Sequence, residues 1–403
     1  MNIGIVSPAD IGTFLSFFDE EKDQQIILNN HFENSAPAVN TLVLSFLKAG
    51  HFVRLFTLSS SEEFYIKSKK IEILGTKAYD AYPGKYIWGN YTNAMSLRKL
   101  LFPNTNGLDI LHAHWTYAYA LASSAFADTL PVFCTVRDWT ALIWKMESLK
   151  NKVTWSVNYV INEQVFSNKK IQFIANSPYT ASLIKNKYKL EVPIIPNPVK
   201  DAFLKKSDPE YPDNLEIVCI ASSNDKRKNV KTLLRAFREI IKKYPNAHLN
   251  LIGTPFDSSS PDMSPWKEEG LLENVTLLGK VKHDQLISFL DKARLFVTPS
   301  LEETFGNTLL ESLSRKVPVI AGESSGAIPY VLAHGEAGLL CNVGKWEEIY
   351  KAIEFLYLNP DKATKLALQG FQMISEKYSE ANICNQHVTL YQSKALTFAS
   401  SNS

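Results

Sequence analysis

The stretch that decides the fold most clearly is Pro299-Ser300-Leu301-Glu302-Glu303-Thr304-Phe305-Gly306-Asn307-Thr308-Leu309-Leu310-Glu311. An apolar run at residues 295–297 predicts a buried strand before it, and its own last residues predict the first turn of a helix. The backbone N–H groups from Phe305 to Thr308 would be unpaired donors of that helix, and Gly306 would let a ligand approach them closely. The stretch therefore predicts a β-loop-α unit with an anion site at the helix start.

The same alternation of short apolar runs and helical periodicity continues around this stretch. Residues 229–244 repeat their apolar positions with a period of 3.6, which predicts a helix packed on a sheet. Because repeated β-α-β units form parallel, doubly wound sheets, this half of the chain predicts a domain of that class. Its strands are predicted at residues 217–220, 249–252, 275–278, 295–297 and 317–320.

The first half of the chain repeats the pattern, starting with a strand at Ile3–Val6 and a helix at Pro37–Lys48. A polar, proline-containing stretch at residues 200–214 predicts a linker. The sequence thus predicts two Rossmann-like α/β domains, over residues 1–199 and 215–378, facing each other across a cleft. The remaining strands of the first domain are predicted at residues 52–58, 110–111, 132–136, 171–175 and 193–195.

Composition and charge disfavour several other classes of protein. The chain has 403 residues, 45% of them hydrophobic, and a net charge of +2, which predicts no binding of nucleic acid. Four separated cysteines without a Cys-x-x-Cys pair predict neither a zinc site nor a disulfide framework. The N-terminus lacks a signal-peptide pattern, and no run of about 18 apolar residues occurs, so we expect a cytoplasmic protein.

Two carboxylates flank the predicted anion site. Glu303 and Glu311 are eight residues apart in sequence, roughly 12 Å if the segment were helical throughout. A nucleotide diphosphate sugar needs hydroxyl-binding groups for its ribose and its hexose, with phosphates between them, and this spacing suits it. Each glutamate alone is more simply interpreted as a solvated side chain, but their arrangement around one helix start favours a site. A nicotinamide or flavin enzyme is disfavoured, because no Gly-x-Gly-x-x-Gly follows the first strand.

Glu303 and Glu311 resemble the two-glutamate motif of glycosyltransferase family 4, whose members have the GT-B fold and retain the anomeric configuration. The resemblance covers nearly the whole chain and implies a retaining sugar transferase. It also implies that the last helix, within residues 379–403, packs back on the first domain. The other matching segments are Asn176-Ser177, Ile195–Val199, Val317–Ala321, Gly326–Pro329 and Gly335–Leu340.

The resemblance assigns roles to the donor side of the site. It implies that Glu303 contacts the donor sugar and Glu311 the nucleotide ribose, while Lys228 contacts the diphosphate and stabilises charge on the leaving group. Because no Asp-x-Asp occurs, we expect no divalent metal and no cofactor. The predicted donor-binding set is completed by Phe305, Gly306, Asn307, Thr308 and Arg227.

The first domain carries the predicted acceptor side. His112-Ala113-His114 ends a strand, and the resemblance places its second histidine, His114, near the reacting sugar. Arg137 stands where a histidine usually precedes the aspartate, here Asp138, and an arginine can hold an anion but cannot act as a base. Ser35, where a glycine pair is usual, is assigned to the acceptor side.

Two departures from the family pattern affect the donor phosphates. Ser222 replaces an arginine expected before Lys228, and Tyr330 replaces a glutamate. Two residues could restore the second cation: Arg227, beside Lys228 and with its direction left open, and Arg137, which is favoured. A related epimerase or phosphorylase and an inactive sugar-binding protein are the alternatives.

The predicted partners are a nucleotide-sugar donor and a glycan or lipid-linked acceptor. The segment at residues 144–166 mixes tryptophan, lysine and apolar residues. It predicts a buried helix or, less favoured, an amphipathic surface in peripheral contact with a membrane.

Overall fold

A computed structural model describes residues 1–30, 36–59, 62–79, 85–205 and 207–402. The chain divides into two compact units. The first contains Met1–Pro198 and the segment that begins at Glu380, and the second is Val199–Ser379. Each unit is a Rossmann-like α/β domain built on a mainly parallel sheet, so the predicted fold class is confirmed.

The first unit contains a seven-stranded sheet. Its strands are β1 (Asn2–Val6), β2 (Phe52–Ser59), β3 (Phe64–Lys67), β4 (Ile71–Lys77), β5 (Ile110–His114), β6 (Val132–Val136) and β7 (Gln172–Ala175). They lie in the order β3-β4-β2-β1-β5-β6-β7, and only the β3–β4 pair is antiparallel. The prediction of a strand at residues 193–195 is wrong, because that segment makes only a single bridge, from Ile194 to Ala175.

Seven helices flank this sheet within the described part of residues 1–198. They are α1 (Glu21–Asn30), α2 (Pro37–Lys48), α3 (Lys85–Leu101), α4 (Ala118–Ser123), α5 (Thr140–Met146), α6 (Leu149–Ser167) and α7 (Pro178–Tyr188).

The second unit contains a six-stranded sheet in which every neighbouring pair is parallel. Its strands are β8 (Glu216–Ile220), β9 (His248–Ile252), β10 (Val275–Gly279), β11 (Leu295–Val297), β12 (Val319–Gly322) and β13 (Leu339–Cys341). They lie in the order β10-β9-β8-β11-β12-β13. The helices from this point onwards are α8 (Val230–Lys243), α9 (Ser264–Glu268), α10 (Leu286–Asp291), α11 (Asn307–Ser314), α12 (Ile328–Val331), α13 (Trp346–Leu358), α14 (Pro360–Lys377) and α15 (Glu380–Asn402).

Helix α8 shows how the apolar period positions a helix in the second unit. Leu233, Leu234, Phe237 and Ile240 are all fully buried against the sheet. Burying each such side chain adds about 1.5–3 kcal/mol to the stability of the folded state. The apolar face of α8 therefore fixes the helix on the sheet and, with it, the position of the loop that precedes the helix.

The last helix, α15, packs within the first unit. Tyr391 is fully buried, and its ring lies 5.9 Å from Phe46 and 4.9 Å from Phe133. At the start of α15, Glu380 pairs with Lys48 of α2, with Nζ 2.5 Å from Oε2.

Residues 200–214, predicted as a linker, belong instead to the second unit. Phe203 is fully buried in the core of that unit. Lys205 N–H donates to the Ser314 carbonyl over 2.9 Å, and the Tyr211 hydroxyl donates to the Lys316 carbonyl over 2.8 Å. The polar composition of the segment misled the prediction, because one buried aromatic ring and two backbone acceptors are enough to hold it.

Helices α5 and α6 occupy the segment predicted as a buried helix. Ile161 and Phe166 are buried, but Leu149 is 84% exposed and Val153 55% exposed. The favoured prediction of a buried helix is therefore wrong for the start of α6, where apolar side chains are in contact with solvent. Among the described residues, no helix is both long enough and apolar enough to cross a membrane.

Candidate active site

The site in the second unit forms where two loops meet at one edge of the sheet. Strands β8 and β11 are parallel neighbours, with Ile217 opposite Leu295, so the loops that follow them lie side by side. Leu301 N–H donates to the Arg227 carbonyl over 2.7 Å, which ties one loop to the other. Loops at the carboxyl ends of parallel strands are where ligands bind in open α/β sheets.

This junction brings together two residues that the sequence predicts for the site. Lys228 Nζ lies 2.5 Å from Glu303 Oε1, and the two side chains are only 13% and 15% exposed. Burial raises the pKa of Glu303, but the charges of Lys228 and Arg227 outweigh it, and the net effect lowers that pKa. Glu303 is therefore an ionised carboxylate beside two cations.

Asp225, which the sequence analysis did not single out, organises the loop that carries these cations. Its Oδ1 accepts the Lys228 N–H over 3.0 Å, and its Oδ2 accepts the Ser223 hydroxyl over 2.7 Å. Arg227 Nη2 lies 3.6 Å from the same Oδ2. An aspartate shortly before a helix start is a common way to satisfy unpaired backbone N–H groups, and this signal was available in the sequence.

Arg227 does not point freely into solvent. Its side chain is 24% exposed, and its charge acts on Glu303 as well as on Asp225. The structure therefore places Arg227 in the same cluster as Lys228, where the sequence left its direction open. Ser222, by contrast, is an exposed residue of this loop.

Helix α11 begins next to Glu303, as predicted. Gly306, its N-cap residue, has φ +92°, a left-handed conformation that favours glycine. A Cβ there would lie 2.9 Å from both Ile328 Cδ1 and Leu309 Cδ1, so a larger residue would be strained by its backbone and would have to displace these side chains. Gly306 has no side chain of its own to cap this helix start, where the positive end of the helix dipole favours an anion.

The residues next to Gly306 differ in burial. The Phe305 side chain is buried, with its ring 5.9 Å from Tyr378, so only its backbone is available to a ligand. Asn307 and Thr308 are half-buried in the first turn of α11.

Glu311, the second predicted carboxylate, lies on α11 and pairs with a residue that the sequence analysis missed. His283 Nε2 lies 2.8 Å from Glu311 Oε1. Burial lowers the pKa of His283, but the charge and hydrogen bond of Glu311 outweigh it, and the pKa is raised overall. His283 follows strand β10, and the fold of the second unit brings it to α11.

The predicted catalytic residues of the first unit form a separate, buried cluster. Arg137 Nε donates to His114 Nδ1 over 3.1 Å, and Nη1 donates to Asn197 Oδ1 over 2.6 Å. Burial lowers the pKa of Arg137 to about 10, so it stays a cation at neutral pH. Arg137 therefore holds a neighbouring histidine, a role that the sequence analysis did not consider.

The bond from Arg137 decides the tautomer of His114. A guanidinium only donates, so His114 Nδ1 accepts and the ring proton of the neutral imidazole is on Nε2. Burial, followed by the charges of His112 and Arg137, holds the pKa of His114 well below its usual range. Nε2 is buried and has no hydrogen-bond partner among the described residues. His114 is therefore a neutral donor in this conformation, and its side chain is fully buried.

His112 has a structural role. Its Nδ1 lies 2.6 Å from the Tyr391 hydroxyl and its Nε2 lies 2.8 Å from the Thr135 hydroxyl. Both ring nitrogens are thus satisfied inside the first unit, and the preference for His114 over His112 as a site residue stays a prediction.

The remaining predicted residues are less closely tied to these clusters. Asp138 accepts a hydrogen bond from the Tyr117 hydroxyl over 2.8 Å at the end of β6. Tyr330 is 37% exposed in α12. Ser35 lies outside the described residues. Over the described ranges, no group of three or more His, Cys, Asp or Glu side chains is arranged to hold a metal ion.

Two family models match consecutive parts of the chain. The model described as Glycosyltransferase Family 4 matches residues 38–203, and the model described as Glycosyl transferases group 1 matches residues 202–373.

Individual glycosyltransferases and related proteins are also similar to this chain in sequence or in structure. The capsular polysaccharide biosynthesis glycosyltransferase CapM of Staphylococcus aureus is 30% identical over 166 residues, which span 41% of this chain and 43% of CapM. The N-acetyl-alpha-D-glucosaminyl L-malate synthase of Bacillus anthracis is 24% identical over 319 residues, covering 75% of this chain and 79% of that protein. The solved structure of Anabaena HepE in complex with UDP-glucose has a TM-score of 0.69 at 15% identity, covering 98% of this chain and all of HepE. The chain belongs to glycosyltransferase family 4 and has the GT-B fold.

Proposed function

We propose that this glycosyltransferase moves a sugar from a nucleotide diphosphate donor bound in the second unit, with retention of configuration and without a divalent metal. The observation that carries the proposal is the Lys228–Glu303 pair beside the start of α11 at Gly306. A carboxylate, an ammonium and a helix N-terminus in one place offer acceptors for sugar hydroxyls and positive charge for phosphates. HepE, of similar fold, has been crystallised with UDP-glucose, which supports a donor of this class.

The proposed chemistry needs no enzyme nucleophile. The bond between the sugar C1 and the diphosphate oxygen breaks while the acceptor oxygen bonds to C1 on the same face. The acceptor proton moves to the departing phosphate oxygen. The positive groups around the diphosphate stabilise the charge that develops there, which is usually the largest contribution to catalysis in such sites.

The second cation at the diphosphate is proposed to be Arg227. It shares its loop with Lys228 and lies close enough to Glu303 to lower the pKa of that carboxyl. Arg137 is bound to His114 and Asn197 and buried in the first unit, so an anion would have to compete with those bonds. This proposal reverses the sequence-based preference for Arg137 as the second cation.

The acceptor is proposed to be a glycan, a small molecule or a lipid-linked sugar. The exposed surface at the start of α6 favours a lipid-linked sugar. Leu149 and Val153 are exposed one turn apart at the start of α6. Lys152 Nζ lies 4.9 Å from the ring of Trp144, itself 40% exposed. Apolar side chains beside a lysine suit the interface of an anionic bilayer.

Cosedimentation with vesicles tests this surface. We expect the protein to bind vesicles that contain anionic phospholipid, and Leu149→Glu to release it. Leu358→Glu, at an exposed leucine of the second unit, is the matched control and should bind like the parent protein. Equal binding of both variants would contradict a membrane role for α6.

Incubation with a panel of nucleotide diphosphate sugars tests the proposed activity. Release of nucleoside diphosphate without acceptor separates an enzyme from an inactive sugar-binding protein. Once a donor is found, NMR of the glycoside formed identifies the anomer and separates a transferase from an epimerase. An inverted anomer, or no turnover of any donor, would contradict the proposal.

A further inference from the structure

The pair formed by His283 and Glu311 is built from two elements that are distant in sequence. His283 lies in the loop after β10, and Glu311 lies in the middle of α11. The side chains are 19% and 10% exposed, so each polar group has lost most of its water. A buried carboxylate needs a compensating donor, and Nε2 of His283 supplies one at 2.8 Å.

The surroundings of His283 hold its ring in place. The ring lies 4.9 Å from that of Phe203, which is fully buried. The charged groups that act on it are Glu311, Lys200 and Asp284, and the last two pair with each other at 2.6 Å. Because Lys200 and Asp284 offset one another, Glu311 is the charge that dominates the imidazole.

We propose that His283 is a positioning residue that orients the Glu311 carboxylate for the nucleotide ribose and links nucleotide affinity to pH. The inference rests on the proposed function and on the role that the family resemblance implies for Glu311, which is contact with the nucleotide ribose. With one carboxylate oxygen held by His283, the plane of the carboxylate is fixed before the nucleotide arrives. A preorganised acceptor loses less entropy on binding than a freely rotating one.

The direction of the pH dependence follows from the charges. A bound nucleoside diphosphate adds negative charge and removes water from Glu311, and both changes favour the protonated imidazole. Binding should therefore take up protons, and affinity should fall as the pH rises through the raised pKa of His283.

Two variants separate orientation from charge. His283→Gln keeps an N–H close to the position of Nε2 but cannot take up a proton, whereas His283→Ala removes both functions. His248→Gln is the matched control, because His248 bonds Thr276 in the same unit at 2.8 Å. Thermal unfolding of every variant checks that it is folded.

Titration calorimetry measures the affinity for UDP and for 2′-deoxy-UDP. GDP and 2′-deoxy-GDP are titrated in parallel. Titrations in two buffers of different ionisation enthalpy at pH 6 to 8 give the protons taken up. The parent protein should take up protons and prefer the ribonucleotide. His283→Gln should lose the uptake and keep most of the preference, and His283→Ala should lose both, binding the ribonucleotide about tenfold more weakly.

Glu311→Ala separates failure of this inference from failure of the proposed function. If Glu311→Ala loses the ribose preference while both His283 variants behave like the parent protein, the positioning role is overturned and the ribose role stands. If Glu311→Ala keeps full affinity and preference, the ribose assignment fails and the inference is overturned with it.

Discussion

Lys228 Nζ lies 2.5 Å from Glu303 Oε1, so a residue assigned to the donor diphosphate and a residue assigned to the donor sugar are bound to each other. They come from adjacent loops, and the sheet order alone brings them together. Each side chain is about six-sevenths buried, and each compensates the charge of the other.

Loss of the charge of either Lys228 or Glu303 alone should therefore destabilise the second unit more than loss of both charges. Lys228→Met leaves an ionised carboxylate without its ammonium, which we expect to cost about 1–3 kcal/mol in unfolding free energy. The double variant Lys228→Met/Glu303→Gln should recover part of that loss. A double-mutant cycle by denaturant unfolding measures the coupling. Strictly additive effects would show that the pair does not contribute to stability.

The two arginines should differ in their effect on donor turnover. Arg227→Ala removes a cation from the Lys228 cluster, and we expect kcat to fall at least tenfold with a smaller change in donor affinity. The comparison is with Arg235→Ala on α8, outside this cluster. If Arg227→Ala behaves like that control while Arg137→Ala lowers kcat with native-like donor affinity, the second cation belongs to the first unit after all.

The buried histidines of the first unit should make its stability sensitive to acid. The pKa values of His112, His114 and His387 are all lowered, chiefly by burial, that of His387 to about 3. Because the unfolded chain then binds more protons than the folded one, stability is fully present above pH about 6.5 and is lost as the pH falls below it. Thermal unfolding from pH 5 to pH 7.5 checks this.

His114→Asn provides the control for that pH dependence. Asparagine does not titrate, so the unfolding midpoint of the variant should fall less steeply below pH 6.5 than that of the parent protein. Parallel curves would mean that His114 is not held neutral by its surroundings.

Turnover should persist in excess chelator. In the proposed site, positive side chains and the start of α11 take the part that a metal ion plays on a diphosphate in other transferases. Turnover measured with and without EDTA should agree within a factor of about two. Loss of turnover in EDTA with rescue by magnesium or manganese would contradict metal independence.

Apolar periodicity predicted much of the fold because burial of one helix face is a local property. Helix α2 was predicted at its observed bounds, and α8 within one residue at each end. The edge strands β3 and β13 were missed because such short strands carry few residues from which to recognise a period, and β4 was missed as well.

The site was predictable as far as residue types and sequence spacing determine it. The motif indicated Glu303 and Gly306, the family resemblance indicated Lys228, and the structure brings these residues to one edge of the second sheet. His283 could not be linked to Glu311, because the strands that precede these residues, β10 and β11, are not neighbours in the sheet and sequence spacing does not reveal the contact. The burial of Arg137 depends on side chains from distant segments, such as Asn197, and spacing gives no access to it.

Turnover by the Glu303→Gln variant tests whether the Glu303 carboxylate is needed for sugar transfer. Glutamine keeps the shape of the side chain but removes the charge that pairs with Lys228. With a donor identified from the nucleotide-sugar panel, release of nucleoside diphosphate and circular dichroism are measured on the same preparation. We expect a native spectrum with turnover lowered by about a hundredfold or more. Near-normal turnover in a folded Glu303→Gln variant would contradict this expectation.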